Sequence, residues 1–229
     1  MKIDFVSIFP EMFDSYFGES IMKRAAHKRL ISVKANDLRR WAAGRHRKVD
    51  DKPYGGGPGM VMMADPFSKA IKSLLKARGT GQMAHGSRAA THKPRTRIIL
   101  MAASGKTFAH KDAVRLSKYD RLIFLCPRYE GVDARVSKLV DEEISIGDYV
   151  LTGGELPAMV VADAVVRHIP GVLGKAESLA EESHAIEGVT EYPQYTRPVV
   201  WNKMRVPSVL LSGDHKKIEE WRKKKMRQT

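Results

Sequence analysis

The sequence contains a single cysteine and lacks any long apolar run. Cys126 is the only cysteine among 229 residues, which excludes an intrachain disulfide and favours a reducing compartment. No uninterrupted apolar stretch approaches the ~20 residues that a membrane-spanning helix needs. The first residues, Met1 to Phe5, lack the apolar core of a signal peptide. These features predict a soluble, cytoplasmic protein without a membrane partner.

Acidic residues are scarce relative to basic ones. Asp and Glu number 26 against 40 Lys and Arg, and the formal net charge is +14. A charge of this size attracts polyanions through phosphate neutralisation and counterion release, so nucleic acid is the first partner to consider. A basic surface with no dedicated partner, or a patch for acidic lipid, is the alternative.

Two glycine-rich segments lack the common nucleotide-binding motifs. The segment 45–60 is basic at its start and ends in Tyr54-Gly-Gly-Gly-Pro-Gly-Met60, without the Gly-Lys-Ser/Thr ending of a P-loop. The segment 144–157 contains Gly153-Gly154 but no Gly-x-Gly-x-x-Gly. For 45–60, phosphate contact and a tight turn with a basic rim both stay open. For 144–157, an adenosine site and a packed glycine turn both stay open.

Apolar strand-like segments alternate with helical ones along the first three quarters of the chain. The pattern predicts strands at 3–9, 30–35, 97–102, 121–126 and 144–151, and helices at 10–29, 63–76, 109–118, 133–140 and 155–168. Between them, 76–97 is predicted to be a mobile basic loop. This alternation indicates a parallel α/β sheet covered on both faces.

The composition changes after Gly174. Residues 1–174 are predicted to form the α/β domain, and 175–190, rich in glutamate, an interdomain linker. Residues 191–229 are predicted to form a small, mainly helical C-terminal domain that ends in a basic helix over 216–227.

The segment at the end of the predicted strand over 121–126, Cys126 to Asp133, is expected to contact a ligand. Ligands of open α/β folds bind beyond the carboxyl ends of the strands. Glu130 is suited to hold a ligand ammonium group, and Tyr129 is suited to stack or pack. Cys126 has two interpretations, a nucleophile for pyrimidine methylation or a buried structural thiol, and the apolar run that it closes favours the second.

These motifs, taken in order, resemble the TrmD family of bacterial tRNA (guanine-N1)-methyltransferases. The resemblance spans nearly the whole chain, and the matching segments are 7–13, 45–60, 128–131, 145–151, 153–157, 169–174, 195–198 and 210–213.

The resemblance implies a SPOUT-type α/β fold with a C-terminal trefoil knot, a homodimer, and S-adenosylmethionine as the cofactor. The implied reaction is methylation of guanine N1 at the tRNA position just 3′ of the anticodon. The implied cofactor-binding residues are Leu100, Met101, Ala102, Ala103, Pro127, Tyr129, Glu130, Ile146, Gly147, Tyr149, Leu151, Gly153, Gly154 and Pro157.

The resemblance also assigns the catalytic groups. Arg167 matches the catalytic arginine of the family, and Glu182 stands where the family has an aspartate base. Glu181 is the competing base if the alignment slips by one residue. The implied tRNA-binding residues are Arg45, His46, Arg47, Asp50, Arg197, Ser212 and His215. No metal site and no further protein partner are predicted, and the sequence leaves a role for Mg²⁺ open.

Four further departures from the family pattern bear on these expectations. Pro127 replaces a usual glycine, and Leu100 to Ser104 lacks the usual Ser-Pro-Gln. The 77–97 loop looks longer than is usual in the family, and the C-terminal domain looks shorter. The competing functions are a SPOUT methyltransferase with another RNA target, a non-catalytic RNA-binding protein, and a nucleotide-binding regulator that uses the loop at 54–59.

Overall fold

The computed structural model describes residues 1–76, 94–174, 182–186 and 188–228. The chain divides into two compact units, Met1–Gly174 and Lys175–Thr229. Most of the predicted basic loop at 76–97 and much of the predicted linker at 175–190, including Glu181, lie outside the described residues.

A five-stranded, fully parallel sheet forms the centre of the first unit. Its strand order is β2-β1-β6-β5-β7. The strands are β1 (Lys2–Ser7), β2 (Ser32–Asp37), β5 (Thr96–Thr107), β6 (Arg121–Leu125) and β7 (Glu142–Ser145), while the two-residue strands β3 (Asp50–Asp51) and β4 (Val61–Met62) pair separately. The predicted parallel α/β sheet is therefore confirmed.

Helices cover both faces of this sheet because side chains alternate along each buried strand. One face of β1, through Ile3 and Phe5, packs against the helices of one layer; the other face, through Val6, packs with a second layer. The first layer contains α1 (Asp14–Phe17), α2 (Ser20–His27), α4 (His110–Leu116) and α5 (Glu155–Val166), and the second contains α3 (Ala64–Lys76) with 3₁₀ helices at Leu38–Trp41 and Ala134–Leu139.

Three of the predicted elements are interrupted, of a different helix type or end earlier than predicted. The predicted helix over 10–29 is interrupted: a 3₁₀ helix at Pro10–Phe13 leads into α1, and the extended backbone at Glu19 separates α1 from α2. The predicted helix over 133–140 is a 3₁₀ helix that Asp133 caps by accepting a hydrogen bond from the Arg135 amide. The predicted strand over 144–151 ends at Ser145, because Gly147 turns the chain with a φ of 150°.

Strand β5 is longer than predicted and carries an irregularity. Its register with β7 shifts between Met101 and Lys106. Gly105 lies within this irregular stretch, where an added Cβ would lie 2.7 Å from the Glu143 carbonyl carbon and the Ile144 nitrogen. The close approach of the two backbones therefore requires glycine at this position.

The described part of the second unit contains one longer helix and short strand pairs. The helix α6 (His215–Lys225) begins after Asp214, whose carboxylate accepts a hydrogen bond from the Lys217 amide. A 3₁₀ helix at Ser208–Leu211 precedes it, and β8 (Val189–Thr190) pairs with β11 (Arg227–Gln228), as β9 (Val200–Trp201) does with β10 (Met204–Arg205). The basic helix predicted at 216–227 is thus present with slightly earlier bounds. Among the described helices, none combines the length and the apolar character that crossing a bilayer requires.

Candidate active site

A cavity of about 530 Å³ opens at the carboxyl end of the sheet, a size typical of ligand sites. Three segments of the chain form its walls: the end of β5 with the residues that follow Met101, the segment after β6, and the segment between β7 and α5. All fourteen residues predicted to bind the cofactor line this one cavity. The structure therefore brings together positions that the sequence separates by up to 57 residues (Leu100 to Pro157).

Backbone contacts hold the segment after β6 in a tight loop. The Gly131 amide donates to the Arg128 carbonyl, and the Glu130 amide donates to the carbonyl of Met60. Tyr129, at the loop's tip, has a left-handed φ of 61° and a half-exposed ring. The end of the glycine-rich segment lies against this loop, since a Cβ on Gly59 would be 2.6 Å from Oε1 of Glu130.

Glycines allow the segment between β7 and α5 to lie close to its neighbours. A Cβ on Gly154 would lie 2.8 Å from the Cα of Cys126 and 2.7 Å from Cδ of Pro127. The Gly154 amide donates to the Pro127 carbonyl at 2.8 Å, which joins the two cavity walls directly. At Gly147 a Cβ would meet the Tyr149 ring at 2.6 Å. A side chain is therefore excluded at Gly154 by backbone atoms and the proline ring, whereas at Gly147 it would require the Tyr149 ring to move.

The cavity combines apolar walls with acidic groups. Leu100, Ile146 and Leu151 supply apolar surface, while the carboxylates of Glu130 and Glu143 provide negative charge. A ligand with a planar apolar part and positive groups suits such a lining. S-adenosylmethionine, with its adenine ring, its sulfonium and its ammonium group, has this chemistry.

Two charged residues of the lining, Glu143 and Arg128, were not among the predicted cofactor residues. Glu143 belongs to β7, next to Glu142, which forms ion pairs with Arg97 and Arg115. No motif in the sequence distinguishes these two adjacent glutamates. Arg128 belongs to the segment 128–131, which matches the family pattern, but nothing in the sequence predicts that its guanidinium pairs with Glu155.

Cys126 is a buried thiol. It lies at the end of β6 with no exposed surface, and its amide donates to the Val6 carbonyl. Burial, with the nearby Glu155 carboxylate as a smaller cause, raises the pKa of the thiol well above its usual value. A thiol held neutral in this way is a poor nucleophile, so the structure favours the structural interpretation.

This assignment predicts that Cys126 is inert in the folded enzyme. At neutral pH, a thiol-specific chromogenic reagent should leave the folded protein unlabelled and should label one thiol per chain after unfolding in guanidinium. The Cys126→Ala variant should retain the activity of the wild type. Rapid labelling of the folded protein, or loss of turnover in a folded Cys126→Ala variant, would assign the thiol a chemical role.

Comparison of the chain with known proteins identifies the family to which it belongs. The family described as tRNA (Guanine-1)-methyltransferase TrmD matches residues 1–229, the entire chain. The chain belongs to the TrmD family.

Individual relatives of the TrmD family match at similar levels. A protein of Shouchella clausii named tRNA (guanine-N(1)-)-methyltransferase is 50% identical over 222 residues, which cover 97% of this chain and 85% of that protein. A protein of Dictyoglomus turgidum with the same name is 50% identical over 224 residues, 98% of this chain and 84% of its own length. One of Geobacter sulfurreducens is 47% identical over 226 residues, 98% of this chain and 86% of its own length.

The two predicted catalytic residues belong to different compact units. Arg167 follows the last residue of α5 and is half-buried, and its amide donates to the Asp163 carbonyl. Glu182 belongs to the second unit and is also half-buried, and its carbonyl accepts a hydrogen bond from the Ala185 amide.

The predicted tRNA-binding residues also divide between the two units. In the first unit, Arg45, His46 and Arg47 are exposed, and Asp50 in β3 is half-buried. In the second unit, Arg197, Ser212 and His215 are exposed. His215 is the first residue of α6, and Ser212 accepts a hydrogen bond from the Asp214 amide that precedes this helix. The exposed groups at these positions are accessible to a phosphate backbone.

Proposed function

We propose that this enzyme transfers a methyl group from S-adenosylmethionine to N1 of the guanine just 3′ of the tRNA anticodon. The observation that carries the proposal is the cavity of the α/β unit. In a chain of the TrmD family, all fourteen positions that the family resemblance assigns to the cofactor line that one cavity.

The cofactor is assigned to this cavity because the lining fits its chemistry. Gly154 allows the segment before α5 to pack directly against Cys126 and Pro127, and Gly147 allows the Tyr149 ring to lie against the backbone, so the walls of the cavity stay close together. Glu130 and Glu143 both line this cavity, and carboxylates are suited to pair with the positive groups of the cofactor. When bound, S-adenosylmethionine supplies a methyl group activated by its attachment to a sulfonium.

Deprotonation of the guanine is the step that the protein must assist. Guanine N1 carries a proton and has no free lone pair in its neutral form, so a base must accept that proton before or as the methyl group is transferred. We assign this role to the carboxylate of Glu182. Glutamate retains the carboxylate of the family's aspartate, and its additional methylene extends the reach by about one carbon–carbon bond.

We assign Arg167 to the charge that develops on the base. Removal of the N1 proton moves negative charge toward O6, where a guanidinium donates hydrogen bonds and stabilises it. Arg167 also follows the carboxyl end of α5, where a cation is favourable for the helix, so its charge has a structural benefit as well.

Replacement of Arg167 by alanine should therefore slow the chemical step. We expect a fall in the single-turnover rate of about 10²- to 10³-fold, the usual cost of removing one donor to a developing oxyanion. The affinity for S-adenosylmethionine should change little, and Arg167→Lys should recover part of the rate. An Arg167→Ala enzyme with an undiminished single-turnover rate would exclude the assignment.

The proposal includes a SPOUT-type knot and a homodimer, as in the family. The segment after β7, at one edge of the sheet, meets the end of β6 at Gly154 and continues into α5, whose apolar side chains pack with those of β1. This path across the carboxyl end of the sheet supports a knotted cofactor site. The tRNA contacts exposed residues of both compact units of the chain: residues 45–47 in the first and residues 197, 212 and 215 in the second. A requirement for Mg²⁺ is left to experiment, by assay with and without a chelator.

Substrate transcripts that differ at one base test the proposal. Wild-type enzyme with methyl-labelled S-adenosylmethionine should label a tRNA transcript that has guanine just 3′ of the anticodon. It should not label the same transcript with adenine there. Equal labelling of both transcripts would indicate a SPOUT methyltransferase with another target. Binding of cofactor and tRNA without transfer would indicate a non-catalytic RNA-binding protein.

A further inference from the structure

An ion pair between a half-buried arginine and a fully buried glutamate lies at the wall of the cofactor cavity. The carboxylate of Glu155, the first residue of α5, has no exposed surface, and its Oε2 accepts a hydrogen bond from Nε of Arg128 at 2.8 Å. Its Oε1 accepts a hydrogen bond from Ser7 Oγ at 2.5 Å. Ser7 Oγ accepts one in turn from the Phe9 amide at 2.8 Å. Both oxygens of the carboxylate thus have partners on different segments of the chain.

Each of the three guanidinium nitrogens of Arg128 contacts a different part of the chain. Besides Glu155, its Nη1 donates to the Thr152 carbonyl at 3.3 Å, and its Nη2 lies 3.0 Å from Sδ of Met12. The guanidinium carbon lies 4.8 Å from the centre of the Phe9 ring, within the range of a cation–π contact. The backbone of Arg128 also forms an antiparallel bridge with Gly153.

These contacts connect two walls of the cofactor cavity. Arg128 lies between Pro127 and Tyr129 in one wall, while Thr152 and Glu155 flank the glycine pair of the other. Both walls are loops, and without such a link the distance between two loops varies. A ligand that fits between them binds more weakly when it must first order them.

We propose that Arg128 and Glu155 are a positioning pair that fixes the separation of the two cofactor-binding loops. The inference rests on the proposed function, since it assumes that S-adenosylmethionine binds in this cavity. Glu155 lies behind the lining, whereas Arg128 forms part of it. Ser7 and Phe9 anchor the pair to the end of β1, and the pair acts on the cofactor through the loops that it joins.

The Glu155→Gln variant tests the pair with little change in volume. It removes the charge that balances the Arg128 guanidinium in a buried place, so the link between the loops should loosen. We expect the dissociation constant for S-adenosylmethionine, measured by calorimetry without tRNA, to rise by about tenfold or more. In steady-state assays KM for the cofactor should rise more than kcat falls. Arg128→Lys retains the positive charge but loses the planar guanidinium with its several hydrogen-bond donors. The affinity of this variant for S-adenosylmethionine should lie between those of wild type and Arg128→Ala.

A second buried ion pair in the same sheet provides the matched control. Asp4 of β1 and Arg121, the first residue of β6, are paired at 2.6 Å, with side chains 1% and 7% exposed. Arg121 lies at the amino end of β6, opposite the cavity. Asp4→Asn and Glu155→Gln should both lower the melting temperature. Asp4→Asn should, however, leave the affinity for S-adenosylmethionine unchanged at temperatures where both proteins are folded.

The outcomes separate the pair's role from the proposed function. If wild type binds S-adenosylmethionine and methylates tRNA, but folded Glu155→Gln and Arg128→Ala bind it equally well, the positioning role is wrong. It is equally wrong if Asp4→Asn loses as much affinity as Glu155→Gln, because the loss then follows stability alone. If wild type itself fails to bind S-adenosylmethionine, the proposed function fails.

Discussion

The Glu182→Gln enzyme should transfer the methyl group about 10²- to 10⁴-fold more slowly than wild type in a single turnover, the range over which a positioned general base contributes. Glutamine retains the length and shape of the side chain but does not accept the N1 proton at neutral pH. Binding of S-adenosylmethionine, measured by calorimetry, should be unchanged because Glu182 is assigned to the guanine and is not one of the predicted cofactor-binding residues.

Two variants serve as controls, one at the neighbouring Glu181 and one that shortens the side chain of Glu182. Glu181→Gln should retain nearly full activity, since it removes the same charge one residue away. Glu182→Asp restores the residue that the family pattern has and should remain active. The assignment would be wrong if Glu181→Gln were the variant that lost the rate, or if both variants lost it equally.

Replacement of Gly154 by alanine should disrupt cofactor binding. The new methyl group would lie 2.7 Å from Cδ of Pro127, 2.8 Å from the Cα of Cys126 and 2.9 Å from the Pro127 nitrogen. None of these atoms belongs to a flexible side chain, so the two cavity walls must move apart. A displacement of this kind costs about 10²-fold, and we expect kcat/KM for S-adenosylmethionine to fall by about that factor.

Gly174 provides the matched control for this substitution. It is an exposed glycine of the same unit, and a Cβ built there meets nothing within 4 Å. Gly174→Ala should therefore have wild-type kinetics and stability. Circular dichroism should show that Gly154→Ala is folded at the assay temperature. Unchanged kcat/KM in a folded Gly154→Ala enzyme would mean that the contact between the two walls is irrelevant to the cofactor.

The central sheet was predictable from the sequence for a simple physical reason. Strands such as β6 are buried on both faces, so they appear as continuous apolar segments, and helices with one apolar side separate them. The boundaries were less predictable. The register shift between Met101 and Lys106 and the end of β7 at Ser145 depend on how two backbones meet, and this is not encoded in apolar periodicity.

The cavity lining was predictable only in part. Motifs that match the family identified fourteen positions, because glycines and their neighbours must be specific residues where backbone lies close to a ligand. Glu143 was missed because it occupies an ordinary strand position beside Glu142.

Long-range pairs formed the least predictable part of the site. Glu155 bonds to Ser7, 148 residues away, and to Arg128, 27 residues away. Partners at such separations follow from the topology of the sheet, and a single sequence contains no periodic signal for them. An acidic residue in the first turn of a helix is usually exposed, whereas Glu155 is fully buried in the structure.

The position of the methyl group on the product tests the account most directly. Wild-type enzyme is incubated with S-adenosylmethionine and a tRNA that has guanine 3′ of the anticodon. The product is then digested, and the modified nucleoside and its place in the chain are determined by mass spectrometry. We predict 1-methylguanosine at that position and nowhere else. A methyl group on another atom or another nucleotide, or cofactor binding without any transfer, would contradict the account.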